Sequence, residues 1–167
     1  MNSGDCKRML RAWLLNGDID LLLPEVTALR GIPQPEEFHP EGDACIHTLL
    51  AVEAVDDGED QRVFWGVLLH DIGKATTTFF SEGRWRAHGH ADAGAKRAPA
   101  IMARLGLQEL ADDVAWLVKN HQYHFSWQIR EGEALTIRQK RFTEHPLFPL
   151  LERVCAADLA GRGKLEN

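Results

Sequence analysis

The sequence predicts an all-α, single-domain helical bundle. Three observations carry that expectation: apolar residues recur at helical spacing in segment after segment, strand-like alternation is weak throughout, and glycines and prolines punctuate the periodic stretches. With 167 residues, 44% hydrophobic and 26% charged, the chain suits one globular domain with its own core. No repeat or low-complexity tract marks a second.

A first helix around "CKRMLRAWLLN" ends at Gly17, and "LLLPEVTALRG" forms a short second one broken by Pro24. The loop "GIPQPEEFHPEGD" follows, with Asp43 placed to cap "ACIHTLLAVEAV". In the next helix Val63, Phe64, Val67 and Leu68 fall at helical spacing; it runs through "VLLHDIGK" and stops at Gly73, read as its C-cap. "TTTFFSEGRWRAHGH" reads as an irregular excursion, followed by a helix over about 91–105 that Pro99 kinks. "LQELADDVAWLVKNH" is strongly periodic, the stretch from Tyr123 to Pro146 is too mixed to assign, and "PLFPLLERVCAADLAGR" is the last helix.

Composition excludes several roles. The longest apolar stretch, "VFWGVLL", is far short of the roughly 20 residues that span a bilayer, and "MNSGDCKRML" has no secretory apolar region, so a cytoplasmic protein without membrane association is expected. Cys6, Cys45 and Cys155 are odd in number and form no CxxC pair, against a disulfide framework or thiolate zinc knuckle. A net charge of -6 argues against a grip on duplex DNA and leaves small or end-bound phosphorylated substrates open. Oligomeric state is not legible.

The polar residues on the apolar faces are the informative ones. His47 shares a face with Leu50, Ala51 and Ala54; His70 and Asp71 continue Val63 and Val67. His90 precedes Ala98, Ile101 and Leu105 on one stripe, His121 continues Leu110, Val114, Leu117 and Val118, and Asp158 continues Leu151, Val154 and Cys155. A lone inward histidine is ordinarily a hydrogen-bonded core residue. Here they come with two inward aspartates and no Lys or Arg on the same faces to neutralise them, which points to a divalent cation. Histidines with carboxylates and no thiolates suit a hydrolytic centre with room for water.

The order His47, His70-Asp71, Asp158 resembles the H…HD…D signature of the HD superfamily of metal-dependent phosphohydrolases. "GIPQPEEFHPEGDACIHTLL", "LLHDIGKATT", "HGHADAGA" and "AADLAGR" resemble, in order, the HD domain at the C-terminal end of bacterial tRNA CCA-adding enzymes. The resemblance covers residues 24–164 and leaves 1–23 as an N-terminal helical segment of one domain, 1–167. With no room for a nucleotidyltransferase head, CCA addition is not implied.

The resemblance implies an HD-type bundle holding one or two divalent ions (Mn, Fe, Co, Ni, Zn or Mg) and hydrolysing phosphoesters of nucleotides or RNA ends, as phosphatase or cyclic phosphodiesterase. His47, His70, Asp71 and Asp158 match its first metal site, Asp71 bridges to a second, and His90 and His121 match the extra histidines of two-metal members. Beside them, Lys74 is placed to hold a phosphate or tune the attacking water, or is a solvated helix-end lysine. Arg84, Arg86 and Trp85 are candidate substrate contacts in the excursion, and Arg162 a candidate phosphate contact. His88 and His124 lie near the site in sequence; His39 and Glu41 are assigned to capping or turns, His145 to the surface, and "RQKR" at 138–141 to a solvated face or RNA-end contact. Two other readings stay open: a non-catalytic accessory domain binding a nucleotide, RNA or protein, and a dinucleotide or alarmone hydrolase.

Overall fold

The computed structural model describes residues 1–127 and 132–163. Helix α1 (Ser3–Asn16) opens with Asn2 and Asp5 capping each other and closes at Gly17, whose φ of 84° is the left-handed turn glycine favours. Two single turns, α2 (Ile19–Leu22) and α3 (Pro24–Thr27), flank the break at Pro24. Asp43 caps α4 (Ala44–Glu53) by accepting from Ile46 N–H. Then come α5 (Gln61–Leu69), α6 (Lys74–Thr77), strands β1 (Phe79–Ser81) and β2 (Arg84–Arg86), α7 (His90–Arg104), α8 (Ala111–Asn120), α9 (Ile137–Thr143) and α10 (Phe148–Ala160). The fold is thus a predominantly helical single domain, as the periodicity predicts.

Helix α5 is the axis of the bundle. Its residues Val63 to Leu69 are all buried, Gly66 among them, because α1, α4, α8 and α10 pack around it. Trp65, Phe64 and Leu68 lie at the centre of one continuous core with Leu117, Leu151 and Met102. Lys7 ties α1 to the end of α4: its buried ammonium donates to the Glu53 carbonyl (3.1 Å), the Val55 carbonyl and Asp57 Oδ1 (3.0 Å).

Four local expectations are corrected. The excursion contains a β-hairpin, pairing Phe79 with Arg86 and Ser81 with Arg84. Its two-residue turn places Glu82 and Gly83 at φ 51° and 76°, as type I′ hairpins require, and three-residue strands are too short to show alternation. Helix α5 ends at Leu69, and residues 70–74 continue as tighter i→i+3 turns, Ile72 N–H to Leu69 O and Lys74 N–H to Asp71 O. Gly73 is therefore no left-handed C-cap; its φ is -65°, and its lack of a side chain serves a close approach to the start of α7. Leu50 and Ala54 are exposed; His47 instead shares its buried face with Ala44, Thr48 and Ala51.

Pro99 sits inside α7 without ending it, since the helix runs on to Arg104. Among the described residues, no helix is long and apolar enough to cross a membrane. The expected boundary at residue 164 lies outside the described residues.

Candidate metal centre

Five separate segments bring six side chains to one buried point. His47 comes from α4, His70 and Asp71 from the turn after α5, His90 from the first position of α7, His121 from the end of α8, and Asp158 from the last turn of α10. All six residues are at most 6% exposed. The i→i+3 turn at 70–74 is what lets adjacent residues His70 and Asp71 face the same centre, which a regular helix, turning about 100° per residue, would not.

Asp71 divides the histidines into two pairs. Its Oδ2 lies 3.2 Å from His70 Nε2 and 3.8 Å from His47 Nε2, while its Oδ1 lies 3.2 Å from His90 Nε2 and 3.9 Å from His121 Nε2. Asp158 Oδ1 completes the first group at 2.9 Å from His47 Nε2 and 3.6 Å from His70 Nε2.

Each ring is oriented from behind. His70, His90 and His121 place Nδ1 on the backbone carbonyls of Val67, Ala87 and Val118 at 2.6, 2.8 and 2.7 Å, so Nδ1 carries the proton and donates. Nδ1 of His47 donates to Glu41 Oε1 at 2.7 Å. The Nε2 lone pairs therefore converge: those of His90 and His121 face each other at 3.3 Å, a repulsive contact that a bound cation would relieve. This donor set, imidazole nitrogens with carboxylate oxygens, fits a divalent metal, and the groups His47–His70–Asp71 and Asp71–His90–His121 each converge closely enough to hold one.

Without a metal, protons do part of that work. Burial works against a charged His70, but the Asp71 and Asp158 carboxylates outweigh it and raise the ring to about 10. Both carboxyls sit well below the usual range in spite of burial, chiefly because of His70. Burial, with the His70 charge alongside, lowers His121 to about 3.

Lys74 overturns one step of the sequence argument. It is buried, and its ammonium donates to Asp71 Oδ2 and to Gln34 Oε1, both at 2.7 Å. Asp71 thus has a cationic neighbour that no helical wheel of α5 reveals, because Lys74 belongs to the next element. The reading of Lys74 as a solvated lysine fails because the side chain is buried and its ammonium is held by Asp71 and Gln34. Asp158 differs: its ion-pair partners among the described residues are only His47 and His70.

Among the described residues, clefts border the centre on two sides. On the His90 side, a groove of about 340 Å³ is walled by Lys74, Gln34, Trp85, Arg86 and His88. Arg86 pairs with Glu82 and buries an Nε with no hydrogen-bond partner among the described residues; Arg84 is half exposed and 4.0 Å from Glu37. On the other side Asp158 surfaces in a cleft with Arg162, His124 and Phe125, where the Arg162 guanidinium lies 5.9 Å from the Phe125 ring centre. His88 and His124 thus line the approaches and not the centre. His145 is half buried and stacks on Trp116 at 4.0 Å, so it is not a plain surface residue, whereas Arg138, Lys140 and Arg141 of "RQKR" are exposed on α9.

Sequence reasoning missed Gln34 and misassigned Glu41 and His39. Nothing in the sequence marks Gln34. For Glu41 a signal existed: Asp43 already meets the capping need of α4, leaving "HPEGD" with an acid that has no turn to make.

A helical bundle whose buried histidines and aspartates converge from distant segments, with an adjacent His-Asp pair at the centre, is the arrangement of the HD class, whose members are generally metal-dependent hydrolases. The chain belongs to the HD domain family, whose profile matches residues 39–160. It is 40% identical over 162 residues to the Multifunctional CCA protein of Alkalilimnicola ehrlichii, covering 90% of this chain and 37% of that one. Similar relatives carry the same name in Halorhodospira halophila (38%; 96% of this chain, 39% of that one) and Neisseria meningitidis (34%; 96% and 39%). The chain therefore spans well under half the length of the curated relatives it matches.

Proposed function

We propose that this chain is a metal-dependent phosphohydrolase acting on phosphoesters of nucleotides or RNA ends, of phosphatase or cyclic phosphodiesterase type. The observation that carries the reading is the division of four imidazole Nε2 atoms between the two oxygens of Asp71. We assign His47, His70, Asp71 and Asp158 to a first ion, and Asp71, His90 and His121 to a second. When bound, the ions supply Lewis-acid polarisation of a phosphoryl oxygen and a water acidic enough to ionise near neutral pH.

The chain's own groups do the rest. Of the three N–H donors of Lys74, Asp71 and Gln34 take two, and the third is left for a phosphoryl oxygen in the groove. Arg86 and Arg84 border that groove and offset phosphate charge, while Arg162 and Phe125 border the cleft at Asp158, where a leaving nucleoside has room. Cys155 lines the Asp158 cleft, but burial pushes its thiol up to about 12 and it donates to the His121 carbonyl, so it is no nucleophile and water attacks directly. The three free cysteines support a reducing, cytoplasmic setting. We read residues 1–23 as an N-terminal helical segment of the same domain.

One observation favours a second reading, a non-catalytic accessory domain binding a nucleotide, RNA or protein: Lys74 already neutralises part of Asp71. Elemental analysis of protein purified without chelator, then a panel of phosphomonoesters, 2',3'-cyclic nucleotides, dinucleotides and alarmones with Mn, Co, Ni, Zn and Mg, separates the two. Turnover that chelation abolishes and Asp71→Ala removes supports the enzyme. Metal-independent turnover, or none with any ion, refutes it.

A further inference from the structure

Behind His47 lies a carboxylate that the scheme above leaves unused. Glu41 is 2% exposed at its side chain, and both its oxygens are engaged. Oε1 accepts from Nδ1 of His47 at 2.7 Å and of His39 at 2.9 Å; Oε2 accepts from the backbone N–H of Gly163 at 2.9 Å. It has no capping duty, since Asp43 accepts from Ile46 N–H, at the start of α4, and from Gly31 N–H. A buried acid with three donors aimed at it is organised around those donors.

We propose that Glu41 is the positioning residue of the first site, holding His47 in the Nδ1–H tautomer and fastening the end of α10 beside it. The two ends of one carboxylate serve the two functions. Oε1 leaves Nε2 of His47 directed at the centre. Oε2 holds Gly163, five residues beyond Asp158, and just before it Gly161 lies flush on α4: a Cβ there would come within 2.6 Å of Ala51 N. The 2.9 Å approach of Asp158 Oδ1 to His47 Nε2 is thus set from both sides. This inference rests on the assignment of His47 and Asp158 as ligands.

Glu41→Gln keeps the size and removes one acceptor oxygen. The full chain should then bind Mn²⁺ about 10- to 100-fold more weakly, and the imidazole ¹⁵N spectrum of the metal-free protein should lose the Nδ1–H signal of His47. Unchanged Mn²⁺ affinity, even with a lowered melting temperature, would make Glu41 merely structural and overturn the proposal. Metal-free wild type with His47 unprotonated at Nδ1 overturns it too, and that measurement needs no variant to fold. A wild type that binds no metal defeats the functional reading; the ¹⁵N spectra of wild type and Glu41→Gln then decide the positioning role alone, a retained signal refuting it.

Discussion

Gly73→Ala should disable the centre although Gly73 itself supplies no ligand atom. The backbone of Gly73 is ordinary, φ -65° and ψ -20°, so alanine faces no conformational penalty there and by itself would add about 0.4–1 kcal/mol by restricting the unfolded chain. Space decides otherwise: an added Cβ would lie 2.0 Å from the carbonyl oxygen of His90, 2.8 Å from its carbon and 2.9 Å from Gly94 N. Carbon and carbonyl oxygen normally stay about 3.3 Å apart or more, so the start of α7 must retreat by roughly 1.3 Å. Backbone lies on both sides, which puts the cost near the top of the usual overpacking range, about 3 kcal/mol. The net loss is about 2–3 kcal/mol, a melting temperature lower by about 4–12 °C. His90 rides on the displaced segment, 3.2 Å from Asp71 Oδ1, and metal sites tolerate only about 0.2 Å. Calorimetry of the chelated protein and metal titration of the folded variant measure the two effects, with Gly58→Ala, which meets nothing within 4 Å, as control. A Gly73→Ala protein melting with wild type and binding its full complement of metal would refute the close-approach argument.

Replacing both His90 and His121 with alanine should leave a folded protein that binds one fewer ion, with hydrolysis reduced more than tenfold, about 1.4 kcal/mol of barrier; saturation of both proteins at one ion with equal activity would assign these rings to packing. Lys7→Met strips the donor from two carbonyls at the end of α4 and should cost about 2–4 kcal/mol, read as a lower denaturation midpoint with metal content per folded molecule unchanged. The metal-free protein should be most stable near pH 6.5. From there toward alkali, folded His70 at about 10 holds a proton that the unfolded chain has lost, so stability falls up to about pH 10; toward acid, unfolded His121 takes a proton that its folded form refuses until about pH 3, so stability falls again. Each limb has a slope of up to about 1.4 kcal/mol per pH unit from these groups, and urea unfolding that shows a monotonic profile across pH 5–8 would contradict it.

Periodicity, caps and breakers are local, and so the sequence by itself determined the helical class, the break at Pro24, the stop at Gly17, the Asp43 cap and the inward direction of His47, His70, Asp71, His90, His121 and Asp158. A residue on a buried stripe must meet something, and that much follows from spacing alone. What it meets depends on other segments, and only the tertiary structure decided it. The sharing of Asp71 between two histidine pairs, the delivery of Lys74 from α6 onto Asp71, the hold of Gln34 on Lys74 and of Glu41 on His47 and Gly163 all join residues far apart in the chain or across a turn. Gly73 shows the same division within one residue. Its sequence context, at the end of an apolar helix, reads as a C-cap, while its negative φ and the oxygen of His90 beside it make it a contact point between two elements. Local patterning reports which face is buried; the identity of the neighbour is set by how helices pack, and that is written in no single segment.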